Sequence, residues 1–378
     1  MNEMMGSKPT EDEFEELLKQ YFCDDDDDET VDDDMNDDEV DDEEVNEEED
    51  DDQNLDDLDF DNDLDNDLDD LNLKDFPDGS IKLSENNTVK VEVLTPVAHP
   101  REELAKLVGC QNIKSQISDL LDLTAYNHWM FIKCPEWKWH DVSLHAIFFG
   151  RPGTGKTTVC KIYGALLHEA GALSKGHVVV CNRGTFLGTS WGDEERAVRQ
   201  VLEMAEGGVL MIDEAYLLNS PHPNDPGKLV IQLLMEILAN EKKRDIAIVL
   251  CGYKEPMQKL LDLNQGLASR FPNRYEFSDF TVDELMEITR RRVGEHKYHF
   301  TRNAWTKYKS LLTEAYAARD ADKWGNARYV ANLLDHIYLL HAKRCIRKSH
   351  LKISQCFCIT TADVQPIEVP KAKKRVGF

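Results

Sequence analysis

Two short segments hold residues whose types and spacing could do chemistry. The first is Gly150-Arg151-Pro152-Gly153-Thr154-Gly155-Lys156-Thr157, followed by Thr158, lying between an apolar run and a helical pattern. Its spacing is that of a phosphate-binding loop. Glycines let successive backbone N–H groups turn inward on phosphate oxygens, and the helix N-terminus adds positive potential. Lys156 would reach the β- and γ-phosphates, and the Thr157 hydroxyl would ligate magnesium. The second segment is Val209-Leu210-Met211-Ile212-Asp213-Glu214, an apolar strand ending in two carboxylates. Such a strand delivers its carboxylates to the sheet edge where the phosphates lie. Asp213 would hold magnesium through water, and Glu214 would activate an attacking water. Each carboxylate pair of this kind is a weak signal alone. Following a phosphate loop, it predicts hydrolysis rather than binding only.

The elements needed to position these residues can be read from the surrounding pattern. Glu102 to Thr124 reads as one helix with apolar Leu104, Leu107, Val108, Ile113, Ile117, Leu120 and Leu121. Strands are expected at Leu144–Phe149, Val178–Cys181, Val209–Ile212 and Ile246–Cys251, with a fifth at Arg274–Phe277. Helices are expected between them, at 155–172, 194–205 and 229–240. Buried strands alternating with helices imply an α/β fold with a parallel sheet covered on both faces. After Phe280 only helices are expected, at 281–293, 303–318 and 328–345. The chain thus divides into an α/β core over 96–280, a C-terminal all-helical domain over 281–365, and a basic tail over 366–378.

The charge is unevenly distributed. Of the 73 acidic and 44 basic residues, 39 and three fall within residues 1–80, which therefore carry −36 and leave +7 for the rest. Residues 23–95 form an acidic arm whose self-repulsion and scarcity of apolar side chains predict disorder. A solubilising tail is its default reading; a nucleic-acid mimic and a tether to a basic surface are the alternatives. Asp59, Asp61, Asp63 and Asp65 alternate as in a calcium loop, but the glycine and distal glutamate of that loop are missing. Ahead of the arm, residues 1–22 carry a short amphipathic helix pattern, with Phe14, Leu17, Leu18, Tyr21 and Phe22 on one face. It reads either as a marginal terminal helix or as a docking motif.

Nine cysteines without a CxxC pair predict reduced, buried thiols and a cytoplasmic setting. Cys356 and Cys358 lack neighbours to complete a metal site. There is no export signal pattern, and no apolar run approaches the length of a membrane span.

Taken in order, the motifs look like an AAA+ ATPase. Their wording resembles the CbbX/CfxQ and stage V sporulation protein K group, which includes red-type Rubisco activases. The residues that carry the resemblance are Leu107-Val108-Gly109 with Ile113-Lys114, Leu173 to His177, and Phe186-Leu187-Gly188. Further along they are Ile212 to Leu217, Cys251-Gly252-Tyr253-Lys254, and Gly325-Asn326-Ala327-Arg328. It covers roughly Glu102 to Ala362 and leaves the arm unexplained.

The resemblance implies a P-loop AAA+ core with a helical lid, ATP and magnesium as ligands, and a homo-oligomeric ring, hexameric in the group. Val108 and Gly109 would cup the adenine. Arg270, in Gly266 to Phe271, matches the arginine finger that enters a neighbouring subunit's site, with Arg274 as the alternative. Arg328 matches the lid arginine that links nucleotide state to lid position. Ser190-Trp191-Gly192 aligns with the loop projecting into the ring's pore, where the group presents an aromatic–aliphatic–glycine trio. Two departures stand out: Trp191 is displaced by one position, and Cys251-Gly252-Tyr253 lacks the polar residue many AAA+ proteins carry there. The leading expectation is a ring that remodels a protein client. An ATP-switched binding module docking a partner through the acidic arm is the second reading. A nucleic-acid-dependent ATPase ranks last, because Arg290-Arg291-Arg292 and Lys371 to Arg375 are the only dense basic runs.

Overall fold

The structure, a computed structural model, describes residues 22–23, 79–84, 87–134, 136, 142–187, 193–219, 222, 225–239, 245–262, 265–347 and 353–369. The expected N-terminal helix up to residue 21, the arm from 24 to 78, Ser190, Trp191 and Gly192, and the tail from 370 lie outside the described residues.

The core is a six-stranded sheet in the order β4–β6–β7–β8–β5–β9. Its parallel members are β5 (Ala146–Gly150), β6 (Val178–Cys181), β7 (Val209–Ile212), β8 (Ala247–Gly252) and β9 (Asn273–Phe277). β7 and β8 are apolar and buried at nearly every position, because helices cover both faces. β5 lies between β8 and β9, with Phe148 beside Cys251 on one side and Tyr275 on the other. Two apolar layers flank the sheet.

Four local expectations change. β4 (Glu92–Leu94) pairs antiparallel with β6, so the sheet is mixed rather than purely parallel. The arm also ends earlier than residue 95. β2 (Ser80–Ser84) and β3 (Asn87–Lys90) form a hairpin whose Ile81 is fully buried in the core.

The single helix expected over Glu102–Thr124 is two helices, α1 (Pro100–Lys106) and α2 (Gln111–Lys133). Between them Gly109 and Cys110 adopt left-handed backbone, with φ of 65° and 57°. Apolar periodicity runs straight through this break, so it is imposed by packing. Lys114 Nζ caps the end of α1 by donating to the carbonyls of Ala105 (2.9 Å) and Leu107 (2.6 Å).

The remaining core helices are α3 (Lys156–Glu169), α4 (Arg183–Phe186), α5 (Asp193–Met204), α6 (Pro226–Ala239), α7 (Lys254–Asp262) and α8 (Gln265–Arg270).

The lid packs α9 (Val282–Glu295), α10 (Arg302–Ala318) and α11 (Ala327–Arg347) around fully buried Trp324, Tyr308 and Leu333. Thr281 and Glu284 start α9 with a reciprocal capping box. The lid is not all-helical. β10 (His299–Thr301) pairs parallel with β11 (Cys358–Ile359) and with β1 (Phe22–Cys23).

The C-terminal segment is fastened by Asp363. Arg344 Nε donates to its carboxylate at 2.9 Å, and the Thr360 amide donates at 2.9 Å. Burial alone would raise the Asp363 carboxyl; the hydrogen bonds from His341, Arg344 and Thr360 outweigh it and hold it well below the usual range. Cys345 Sγ lies 3.5 Å from His341 Nε2, which gives a triad-like outline. That nitrogen, however, donates to the Cys356 carbonyl at 2.7 Å, while Nδ1 faces Asp363 Oδ2 at 3.4 Å. The ring is therefore committed to fastening and is not a base for the thiol.

Candidate active site

The phosphate-binding segment leaves the C-terminal end of β5 at Gly150 and enters α3 at Lys156. Its two left-handed glycines serve different ends. At Gly155 (φ 91°) no atom lies within 4 Å of where a Cβ would stand, so the backbone is open to an anion. At Gly153 (φ 71°) the Gly325 carbonyl and Arg328 amide of the lid press against that position. Gly153 is there to let the lid approach. Thr154 is buried and donates to the Arg151 carbonyl at 2.8 Å, which makes its side chain a brace within the loop.

Lys156 Nζ donates to the carbonyls of Gly150 (2.8 Å) and Arg151 (3.0 Å). Burial pushes its ammonium down, and the charges of Asp213 and Glu214 partly restore it. Asp213 follows β7 and is fixed by its amide to the Cys181 carbonyl at 2.8 Å; its Oδ1 accepts from the Glu214 amide at 3.1 Å. Glu214 sits in left-handed backbone with φ of 50°.

One cleft of about 630 Å³ brings the expected residues together. Pro152 to Thr158, Asp213, Glu214 and Val108 all line it. Arg328 closes it from the first turn of α11. Gly109, Gly150 and Arg151 stand just behind. Gly109 packs beneath Glu284 of α9, and Arg151 Nη1 pairs with Asp279 at 2.7 Å. The donor set fits the expected ligands: an open glycine turn and a lysine for phosphate, a hydroxyl and a carboxylate for magnesium.

Arg270 and Arg274 do not line this cleft. Arg270 ends α8 and donates from Nη1 to the Gly266 carbonyl at 3.0 Å; Arg274 is exposed on the edge strand β9. Cys251 is fully buried at the end of β8.

The basic run Arg290–Arg292 is divided by the helix. Arg290 lies over the Trp305 ring at 5.9 Å, Arg291 pairs with Glu287 at 2.7 Å and reaches the Lys106 carbonyl, and Arg292 lines the cleft. Ile288, Arg291, Arg292 and Glu295 form one face of α9 at i, i+3, i+4 and i+7, and that face forms the cleft's lid wall.

The sequence named Asn326 within a motif and gave it no role. It is fully buried, with left-handed backbone (φ 48°). Its Nδ2 donates to Asp279 Oδ1 at 3.0 Å and the Pro152 carbonyl at 3.3 Å, and its Oδ1 accepts from the Phe280 amide at 3.1 Å. The Ala327 amide adds a bond to the Gly153 carbonyl at 3.1 Å. Asn326 thus joins the phosphate loop, the core–lid junction and the helix carrying Arg328. The Gly-Asn pair before a helix was the available signal, since asparagine tolerates this backbone.

Asn326→Ala is expected to cost roughly 2–4 kcal/mol, from lost buried hydrogen bonds and a strained backbone. Asn326→Gly should cost less, because glycine accepts the angle. Chemical denaturation of both variants checks this, and equal stability of the two would remove the backbone part of the account.

Residues 146–279 match the ATPase family associated with various cellular activities (AAA), and residues 281–374 match the AAA lid domain. Stage V sporulation protein K of Bacillus subtilis is 31% identical over 284 residues, spanning 74% of this chain and 85% of that protein. A CfxQ homolog of Trieres chinensis is 35% identical, spanning 71% and 89%. The chloroplastic ribulose bisphosphate carboxylase/oxygenase activase of Cyanidioschyzon merolae is 32% identical, spanning 68% and 85%. Among solved structures, the FIGL-1 AAA domain shares the fold, with a TM-score of 0.50 at 15% identity over 70% of this chain and 84% of that one. The chain belongs to the AAA+ ATPase family and is an ATP hydrolase. No helix among the described residues is long and apolar enough to cross a membrane.

Proposed function

We propose that the chain works as a homo-oligomeric ring, of six subunits by resemblance, that spends ATP on remodelling a protein client in the cytoplasm. The observation that carries this is the position of Arg270, outside its own cleft. As the arginine finger, Arg270 would then act on the γ-phosphate in a neighbour's cleft. The surroundings support assembly. Ser143 Oγ donates to the Arg270 carbonyl at 3.4 Å and steadies the chain where α8 ends. On α2, Tyr126, Trp129, Phe131 and Ile132 are each more than half exposed, an apolar surface suited to burial against a second copy.

Within each site, the glycine turn and Lys156 would bind the phosphates, while Val108 and Ile288 would shape the base end. Thr157 and Asp213 would hold magnesium, which supplies neutralisation of charge on the phosphate oxygens. Glu214 would take a proton from the attacking water. Arg328, on the lid, would pull on α11 when phosphate is present, and Asn326 would pass that movement to the core.

Client handling is assigned to Ser190-Trp191-Gly192, on the motif alignment. Trp191→Ala should abolish remodelling of a client recovered on the ring while basal ATP turnover survives. Remodelling that persists would remove the pore from the account. The second reading, an ATP-switched binding module, is favoured by one feature: Phe22–Cys23 pairs with the lid, whereas Ser80–Ser84 belongs to the core. The acidic arm, residues 24–78 in sequence, therefore links a strand of the lid to a strand of the core. If deleting residues 24–78 abolishes client binding, while Trp191→Ala leaves remodelling intact, the second reading replaces the first.

A further inference from the structure

β8 ends in Cys251 and Gly252, and the Cys251 side chain is fully buried. Immediately after Asp213 and Glu214 the chain makes a short turn over Ala215–Leu218. In this turn the Tyr216 hydroxyl donates to Glu214 Oε2. The ring lies over Gly252: a Cβ there would stand 2.8 Å from Tyr216 Cδ1 and from Met257 Cγ. Tyr253 meets the same ring edge to face, with centroids 6.1 Å apart and planes at 61°. β8 therefore ends in Gly-Tyr because the glycine makes room for the Tyr216 ring and the tyrosine holds it. Leu218, fully buried, anchors the far side of the turn.

We propose that Tyr216 is the positioning residue for Glu214, holding Oε2 so that Oε1 is presented to the attacking water. The proposal rests on Glu214 being the base. Glu214 stands on a left-handed residue at the tip of a turn, with several rotatable bonds between backbone and carboxylate. A base must hold its oxygen within hydrogen-bond reach of one water. A phenol fixed by a glycine floor and an aromatic wall restricts that carboxylate without adding charge. Burial pushes the Tyr216 hydroxyl up, and its hydrogen bond to Glu214 and that residue's charge push it further. It stays protonated through the neutral range and remains a donor throughout. Tyr253 is raised likewise, by burial first and then by Glu214.

The test uses the full-length protein in steady-state ATP hydrolysis. Tyr216→Phe keeps the ring and removes only the donor. It should lower kcat about tenfold while ATP KM stays within about twofold, since a misplaced base slows chemistry and not binding. Gly252→Ala, which displaces the ring, should show the same split. Added to Glu214→Gln, Tyr216→Phe should change the residual turnover by less than about twofold, because a residue acting through Glu214 has nothing left to act on.

An unchanged kcat in Tyr216→Phe, with Glu214→Gln inactive, would overturn the proposal and leave the assignment of Glu214 standing. A fall in kcat accompanied by an equal rise in KM and a lower Tm would also overturn it, by showing a structural role. Turnover retained in Glu214→Gln would overturn both the base assignment and the role of Tyr216.

Discussion

Glu214→Gln is expected to lower ATP turnover by about 10²–10⁴-fold while nucleotide binding persists. The substitution is nearly isosteric. Glutamine tolerates the same backbone, and its side-chain carbonyl still accepts from the Tyr216 hydroxyl. Lys156, Thr157 and Asp213 are untouched, so the phosphates and magnesium keep their ligands. What disappears is a negatively charged acceptor for the proton of the attacking water. Nucleotide should therefore remain bound as ATP, and quantifying ATP and ADP on the purified variant reads this directly. ADP found in proportion to the normal enzyme would mean that another group activates the water.

Arg270→Ala is expected to lower turnover by about 10³–10⁵-fold, the range over which an arginine finger acts on phosphoryl transfer. The fold should survive the truncation. α8 is held by buried Leu267, and buried Phe271 fixes the chain just beyond it. The side chain's own contact is one hydrogen bond to the Gly266 carbonyl, worth about 1 kcal/mol. ATP KM should change far less than kcat, because a finger acts on charge that develops in the transition state. If Arg274→Ala causes the larger loss, the finger is the arginine on β9 instead.

Much of the site was legible because backbone geometry dictates it. A phosphate loop needs glycines at fixed spacing, so Gly150 to Thr157 announced itself. Asp213 and Glu214 followed from an apolar strand ending in acid. The strands of the core were visible as short apolar runs, since helices cover both faces. Their order was not visible: nothing in Ala146–Gly150 says that it lies between β8 and β9. The edge strand β4 was hidden, because three residues are too few for a periodic signal and they follow an acidic stretch. The two- and three-residue strands of the lid were missed for the same reason.

The break between α1 and α2 was illegible for a different cause. Leu104, Leu107 and Val108 continue the helical spacing, and the interruption depends on Lys114 and on Glu284 of the lid. Asn326 shows the limit most clearly. Its partners are 46, 47 and 174 residues away, at Phe280, Asp279 and Pro152. A pattern read along the chain cannot see a junction built from three separated segments.

The shared site is the central claim, and one mixing experiment tests it most directly. Arg270→Ala subunits keep Glu214, and Glu214→Gln subunits keep Arg270, so each alone should be nearly inactive. In an equimolar mixture allowed to exchange subunits, a working site needs Glu214 from one chain and Arg270 from its neighbour. Random assembly into a head-to-tail ring should restore turnover to about a quarter of the unmutated level. No recovery from the mixture, with subunit exchange demonstrated, would contradict a site completed by the neighbouring chain.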